Sequence, residues 1–250
     1  MRFRARLLTF LACAFMAPAA SAQVPESVAP AGSTSVGLTV VELFTSQGCS
    51  SCPPADALLK TLIKRPEIMP LSLAVDYWDH LGWKDTLASP KNSARQKSYA
   101  KSLGTGNVYT PQVVVNGLWQ AIGSNKADVE KAILKASQRV VVQPIALDAV
   151  SDNKRVTIQV GSAKDTVPAT VWLAIVAPSV DVEIKRGENR GKALVYHNVM
   201  RDITPIGMWS GKPMKIELPL SAMMQNGDRC AVLLQADEGG RILAAVWMTP

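Results

Sequence analysis

Val40-Val41-Glu42-Leu43-Phe44-Thr45-Ser46-Gln47-Gly48-Cys49-Ser50-Ser51-Cys52-Pro53-Pro54 is the stretch on which the reading of this chain turns. A β-branched, apolar run leads into a short polar loop, and two cysteines in C-x-x-C spacing follow. After them Ala55 to Lys64 has helical periodicity, with Ala55, Leu58, Leu59, Leu62 and Ile63 on one face. Strand, loop and a dithiol at the head of a helix form an arrangement suited to redox chemistry. A helix N-terminus carries about half a positive charge and points its free N–H groups at the first sulfur, which favours the nucleophilic thiolate. Pro53 and Pro54 have no N–H, so the spacing leaves open whether the helix begins near Cys49 or only at Pro53.

Upstream, Met1 to Arg6 holds three arginines, Leu7 to Ala20 is apolar, and Ala20-Ser21-Ala22 precedes Gln23 in a small-x-small pattern. This predicts a cleaved signal peptide over residues 1–22 and a periplasmic or secreted location. Cys13 reads as an ordinary residue of that peptide. Residues 23–37, rich in Pro, Ala, Ser and Gly, read as a flexible lead. Without residues 1–22, Lys+Arg is 24 against 20 Asp+Glu, and the formal charge is +4 rather than +7. No dense basic patch remains, so no nucleic-acid partner is expected. No later stretch approaches the roughly 20 apolar residues of a membrane span. Cys49, Cys52 and Cys230 remain, and an oxidising compartment makes a Cys49–Cys52 disulfide the expected resting state.

Downstream, Leu38–Phe44 reads as a first strand, residues 53–64 as a helix and Leu71–Val75 as a second strand. A dense loop, Asp76-Tyr77-Trp78-Asp79-His80-Leu81-Gly82-Trp83-Lys84-Asp85, comes next. Ser89-Pro90 opens a helix that Gly104 closes. Val108 to Gly123 reads as a hairpin with Asn116-Gly117 at its turn, and Ser124 as the cap of a last helix. From about residue 140 the pattern changes to six to eight short strands, which suggests a β-sandwich over 140–250 beside an α/β domain over 38–139.

The order β-α-β-α-β-β-α, with C-x-x-C at the first strand–helix junction and Thr110-Pro111 before the hairpin, resembles the thioredoxin superfamily. Thr45 to Cys52 is similar to the active-site loop of glutaredoxins, and Tyr109-Thr110-Pro111-Gln112-Val113-Val114-Val115-Asn116-Gly117 to the superfamily's cis-proline hairpin. The chain as a whole resembles a family of secreted bacterial proteins of unknown function with a thioredoxin-like domain, through Asp76-Tyr77-Trp78-Asp79 to Asp85 and Gly187-Glu188-Asn189-Arg190-Gly191. The resemblance implies an exposed Cys49 that attacks, a deeper Cys52 that resolves, and a cis bond at Pro111 that sets the Thr110 backbone against the dithiol. It also implies a buried acid that moves protons for Cys52, here Glu42, unless Glu42 is simply a strand carboxylate satisfied by a partner.

The expected function is thiol–disulfide exchange with protein thiols or disulfides, without a cofactor. The alternatives are a binding scaffold whose disulfide is a staple, and a periplasmic copper-handling protein using Cys49, Cys52, His80 and a methionine. A four-cysteine zinc site is excluded within one chain. If the first two strands are parallel, the 76–85 loop stands beside Cys49. Trp78 and Trp83 then either form an apolar wall for substrate or belong to the core or a domain interface, Tyr109 is a further candidate for substrate binding, and His80 either exchanges protons with the mixed disulfide or caps a turn. His197 reads as a strand-surface histidine and Cys230 as a buried, inert thiol.

Overall fold

The computed structural model describes residues 37–139, 144–152, 154–164, 166–219 and 227–249. The expected signal peptide, Cys13 and nearly all of the flexible lead lie outside the described residues. The first half runs β1 (Thr39–Thr45), α1 (Pro53–Leu62), β2 (Ile68–Ala74), a 3-10 turn at Asp79–Leu81, α2 (Pro90–Ser102), β3 (Gln112–Val115), β4 (Trp119–Ile122) and α3 (Lys126–Ser137). Among the described residues seven strands follow: β5 (Leu147–Ser151), β6 (Arg155–Val160), β7 (Ala169–Glu183), β8 (Ala193–Trp209), β9 (Met214–Pro219), β10 (Arg229–Ala236) and β11 (Ile242–Trp247). The protein is mixed α/β and mostly strand.

Local chemistry places the boundaries. Ser89 Oγ accepts from Lys91 N at 3.2 Å, and Pro90 takes the first position of α2, where its missing N–H costs nothing. Asn125 rather than the expected Ser124 caps α3, because its Oδ1 accepts from Asp128 N. The β3–β4 turn has Asn116 and Gly117 at φ of 48° and 66°, the pair of positive angles that a tight hairpin needs. A side chain at Gly117 would also meet the Gly240 carbonyl at 2.5 Å. The Thr110–Pro111 bond is cis, as expected.

One eight-stranded sheet has the order β11-β10-β7-β8-β2-β1-β3-β4, and β5-β6-β9 form a second. β1 and β2 are parallel in full register, Thr39 opposite Ile68 and Thr45 opposite Ala74. β8 joins β2 through Ser72 and Val199. The change expected near residue 140 is therefore not a break in the sheet: β7, β8, β10 and β11 extend the sheet begun by β1 to β4. The sandwich-like packing exists at its far end, where Ala149, Val156 and Ile158 of the second sheet share a core with Val171, Leu173 and Val232.

Alternation sorts the side chains of β1. Val41 and Leu43 face Leu59 and Leu62 of α1 and Val129 and Ile133 of α3. Val40 and Phe44 face the other way, into a core with Met69, Leu71, Leu73, Tyr99 of α2, Met200 and Leu233. That second core spans both halves of the large sheet. Glu42, between Val41 and Leu43, belongs to the Val40–Phe44 face.

Candidate functional site

The turn before α1 resolves where the helix starts. Cys49 N donates to Ser46 O at 3.1 Å and Cys52 N to Cys49 O at 3.2 Å. Cys52 is the N-cap, at φ −78° and ψ −37°, and Pro53 is the first helical residue. The first available amides, Ala55 N and Asp56 N, both donate to Cys52 O, at 2.8 and 3.1 Å. Cys49 thus lies in a tight turn ahead of the helix. The prolines remove two of the N–H groups that would have activated it, and Cys52 O takes two more.

Cys49 and Cys52 form a disulfide with a Cα–Cα distance of 5.4 Å. Contrary to expectation Cys49 is not exposed: it is 1% accessible and Cys52 is 0%, while Ser50 and Ser51 between them are open to solvent. Two loops produce this burial. The tip of the β7–β8 hairpin, residues 184–192, lies over the turn as a strap. The buried Asn189 donates from Nδ2 to Gln47 O at 2.9 Å and to Cys49 O at 2.8 Å, and Glu188 accepts from Ser50 N at 3.2 Å. From the 76–85 loop, Trp83 Nε1 donates to Gln47 Oε1 at 2.8 Å, and the Asp85 carboxylate accepts from Gln47 N at 2.7 Å and Leu87 N at 2.8 Å. The loops also meet each other, since a Cβ on Gly187 would lie 3.2 Å from Trp83 Cβ.

The other expected residues divide into those gathered here and those placed elsewhere. Pro111 packs at the first turn of α1: a Cβ added to Gly123 would be 3.2 Å from both Pro111 Cβ and Ala55 Cβ. Thr110 Oγ1 is buried without a hydrogen bond. Tyr109 is half-buried and donates to Gln120 Oε1 at 3.3 Å, and burial pushes its hydroxyl pKa up. Trp78 backs the turn, 3.2 Å from where a Gly48 Cβ would be, but it also packs on the core. His80 is exposed on the 3-10 turn and its Nδ1 bonds the Tyr77 carbonyl of its own loop at 2.9 Å. His197 is half-buried, with its pKa lowered by burial and by the charge of Lys60. Among the described residues no group of three or more His, Cys, Asp or Glu side chains is arranged to hold a metal ion. Cys230 is a buried free thiol whose pKa is raised by burial and by Asp228.

Glu42 is placed away from the dithiol, with partners of its own. On the far face of β1 from α1, it pairs with Arg95 of α2, Nε–Oε1 2.6 Å and Nη2–Oε2 3.2 Å, and accepts from Tyr99 OH. Gln235 of β10 closes the network, accepting from Arg95 Nη1 at 2.9 Å and donating to Tyr99 OH at 3.1 Å. Burial alone would lower the Arg95 pKa, but the Glu42 charge more than offsets it and the guanidinium stays charged. A cavity of about 410 Å³ opens on this face, lined by Arg95, Tyr99, Trp172 and Gln235 among others.

With this geometry in hand, known proteins give a family. Residues 40–235 match the model of a family described as a protein of unknown function, DUF1223. The chain belongs to that family. A crystal structure of a protein from Agrobacterium tumefaciens is similar to this DUF1223 protein, with 35% identity, a TM-score of 0.73, and 84% of this chain and 93% of that chain covered. HBP35 of Porphyromonas gingivalis is similar in fold alone, at 12% identity and a TM-score of 0.58, over 84% of this chain and 74% of that one. No curated protein matches.

Near the DUF1223 dithiol are two buried groups that the sequence reading did not single out, the Asp56 carboxyl and the Tyr196 hydroxyl. Asp56, in the first turn of α1, has both carboxylate oxygens shut off from solvent and without a hydrogen bond. Burial raises its pKa to about 7; the nearby Thr45 hydroxyl tempers the rise and the Asp85 charge adds to it. Tyr196 of β8 also has a buried hydroxyl without a partner, and its pKa is driven up by burial, then by Asp56 and Asp85. The signal available in the sequence was the spacing from Cys52 to Asp56, which in a helix sets both on one face. Asn189 belongs to the Gly187–Gly191 stretch already noted for its resemblance, but nothing local tied it to Cys49, 140 residues before it.

Proposed function

We propose that this DUF1223 protein is a thioredoxin-like thiol–disulfide exchange protein of an oxidising, extracytoplasmic compartment, with Cys49 and Cys52 as the reacting pair. The observation that carries the reading is the convergence at the head of α1. The disulfide, the Pro111 turn and the Trp78–Trp83 loop meet at the C-terminal edge of the parallel β1–β2 pair, where open α/β sheets place their sites. Cys49 is the sulfur that partners attack, because the exposed Ser50-Ser51 peptide adjoins it. Cys52, N-cap of the helix, is the leaving and resolving sulfur. The strap must lift from the turn before a protein thiol reaches Cys49, so exchange is gated by the breaking of the Asn189 and Glu188 hydrogen bonds.

A second reading, a binding scaffold whose disulfide is a staple, is favoured by the 1% accessibility of Cys49. Trapping separates them. A Cys52→Ala variant expressed with its signal peptide accumulates mixed disulfides through Cys49 if the protein exchanges. If no mixed disulfide forms while an established oxidoreductase traps partners in parallel, and Cys49 of the reduced native protein resists alkylation, the staple reading stands and the exchange reading falls.

A further inference from the structure

Three carboxyls with buried oxygens lie along β1, α1 and the 76–85 loop, and two are already engaged. Glu42 is bound to Arg95 across the sheet, and Asp85 accepts from two backbone amides. Asp56 is the one left without a partner. It sits four residues after Cys52 on a continuous helical turn, since Cys52 is itself in helical conformation and Asp56 N bonds Cys52 O. Residues at this spacing have Cβ atoms about 5–6 Å apart on one face. A buried acid without a hydrogen bond destabilises the fold, and that cost is tolerated where the group has work to do. The groups facing it are the Thr45 hydroxyl at the end of β1, Asp85 from the loop after β2 and the Tyr196 hydroxyl from β8. On α1 itself Lys60 follows one turn later, and its charge falls on His197.

We infer that Asp56 is the proton partner of the Cys52 sulfur, a part that Glu42 does not take in this protein. The inference rests on the exchange reading above. A thiolate of a substrate dithiol attacks Cys49 Sγ; a sulfur–sulfur bond forms there, and the Cys49–Cys52 bond breaks with its electron pair going to Cys52. The Asp56 carboxyl transfers its proton to that thiolate and becomes a carboxylate, which is re-protonated from solvent. The second substrate thiol, losing its proton to solvent, attacks the substrate sulfur of the mixed disulfide. Cys49 leaves as a thiolate and takes a proton from solvent. The substrate is oxidised by two electrons and the protein disulfide is reduced by the same two. The two protons that the substrate gives up balance those that the two cysteines gain, one of them through Asp56. In the reverse direction the Asp56 carboxylate removes the Cys52 proton. Its nearness to neutral ionisation suits both directions.

The test begins with titration, which needs no exchange activity. In mature protein carrying Cys49→Ser and Cys230→Ser, Cys52 is the remaining thiol, and its ionisation is followed by ultraviolet thiolate absorbance. Removing the neighbouring carboxylate with Asp56→Asn is expected to lower the Cys52 pKa by on the order of one unit or more. If Asp56→Asn fails to fold, the reduced native chain gives the reciprocal readout: the carbon-13 shift of the Asp56 carboxyl shows a second step as Cys52 ionises. An unchanged Cys52 pKa, or a single Asp56 step, overturns the inference. The second arm follows opening of the native disulfide by dithiothreitol against pH, where Asp56→Asn is expected to lose the inflection near neutrality that the native protein shows. A pair that exchanges but titrates independently overturns the Asp56 role alone. A coupled pair in a protein that opens for no dithiol overturns the exchange reading, and the proton transfer with it.

Discussion

Replacing Asp56 by Asn is expected to abolish a defined part of the pH dependence of stability, with the disulfide intact throughout. In the folded protein burial raises the Asp56 pKa from 3.8 to about 7. In the unfolded chain it returns to about 3.9. A carboxyl whose folded pKa is the higher one favours the fold while protonated. Its contribution is complete below the unfolded pKa and is lost as pH rises through the folded value. Stability should therefore fall between about pH 4 and about pH 7, with a slope approaching 1.4 kcal/mol per pH unit and a total loss on the order of 4 kcal/mol. Asn has nearly the same shape and no charge, so it removes this slope while every other titration, Asp85 included, remains in both proteins and cancels in the difference. The assay is urea unfolding followed by tryptophan fluorescence at several pH values, with equal m-values required before free energies are compared. The variant is expected to match or fall slightly below the native protein near pH 4, where its amide leaves donors to satisfy, and to overtake it by several kcal/mol near pH 8. Parallel stability curves for the two proteins across this window would refute the reasoning.

Other perturbations read other parts of the molecule. Arg95→Met strands Glu42, whose side chain is 0% exposed, and is expected to cost about 3–5 kcal/mol of unfolding free energy; a loss under about 1 kcal/mol would mean that the pair is not the anchor between α2 and β1. Asn189→Ala deletes the two hydrogen bonds that hold the strap to Gln47 O and Cys49 O, each worth about 0.5–1.5 kcal/mol, so reduction of the native disulfide by dithiothreitol should be faster by roughly ten-fold; an unchanged rate would show that the strap does not gate the site. Cys230, buried and with its pKa raised, should resist alkylation in the native state and react fully in urea, and labelling without denaturant would contradict its place in the sandwich core.

What the sequence made legible was local. The order of strands and helices through residue 139 follows from periodicity and from residues that act on their own neighbourhoods: Ser89 and Pro90 at a helix start, Asn116-Gly117 at a hairpin. The expected boundaries differ by a few residues at most: the hairpin's first strand begins at Gln112 rather than Val108, and β2 begins at Ile68 rather than Leu71 because Pro70 hides a strand. Pro70 takes the place of an amide in the ladder, and its carbonyl accepts from Asn198 Nδ2 at 2.8 Å, a contact 128 residues away in sequence. The same distance effect explains the rest. The resemblance offered Glu42 as a proton carrier; its partners, Arg95 and Tyr99, come from another element that nothing local to β1 reveals. Cys49 looked exposed because the strap that covers it belongs to the β7–β8 hairpin. The short strands expected after residue 140 include two of 15 and 17 residues, because a hairpin that reaches from the sandwich to the dithiol must be long.

The seating of β8 against β2 has a consequence for how the chain is divided. Every residue of β2 is buried, and the strand is interior only because β8 lies on its outer side. A fragment ending at residue 139 would keep the two cysteines and the Pro111 turn, yet it would present β2 as a long, apolar, unprotected margin of the kind that recruits strands from other molecules. The segment that carries both cysteines of the disulfide thus depends on the second half of the chain to cover its margin. Fusion, truncation or module exchange at that point would be read out first as aggregation through the uncovered strand.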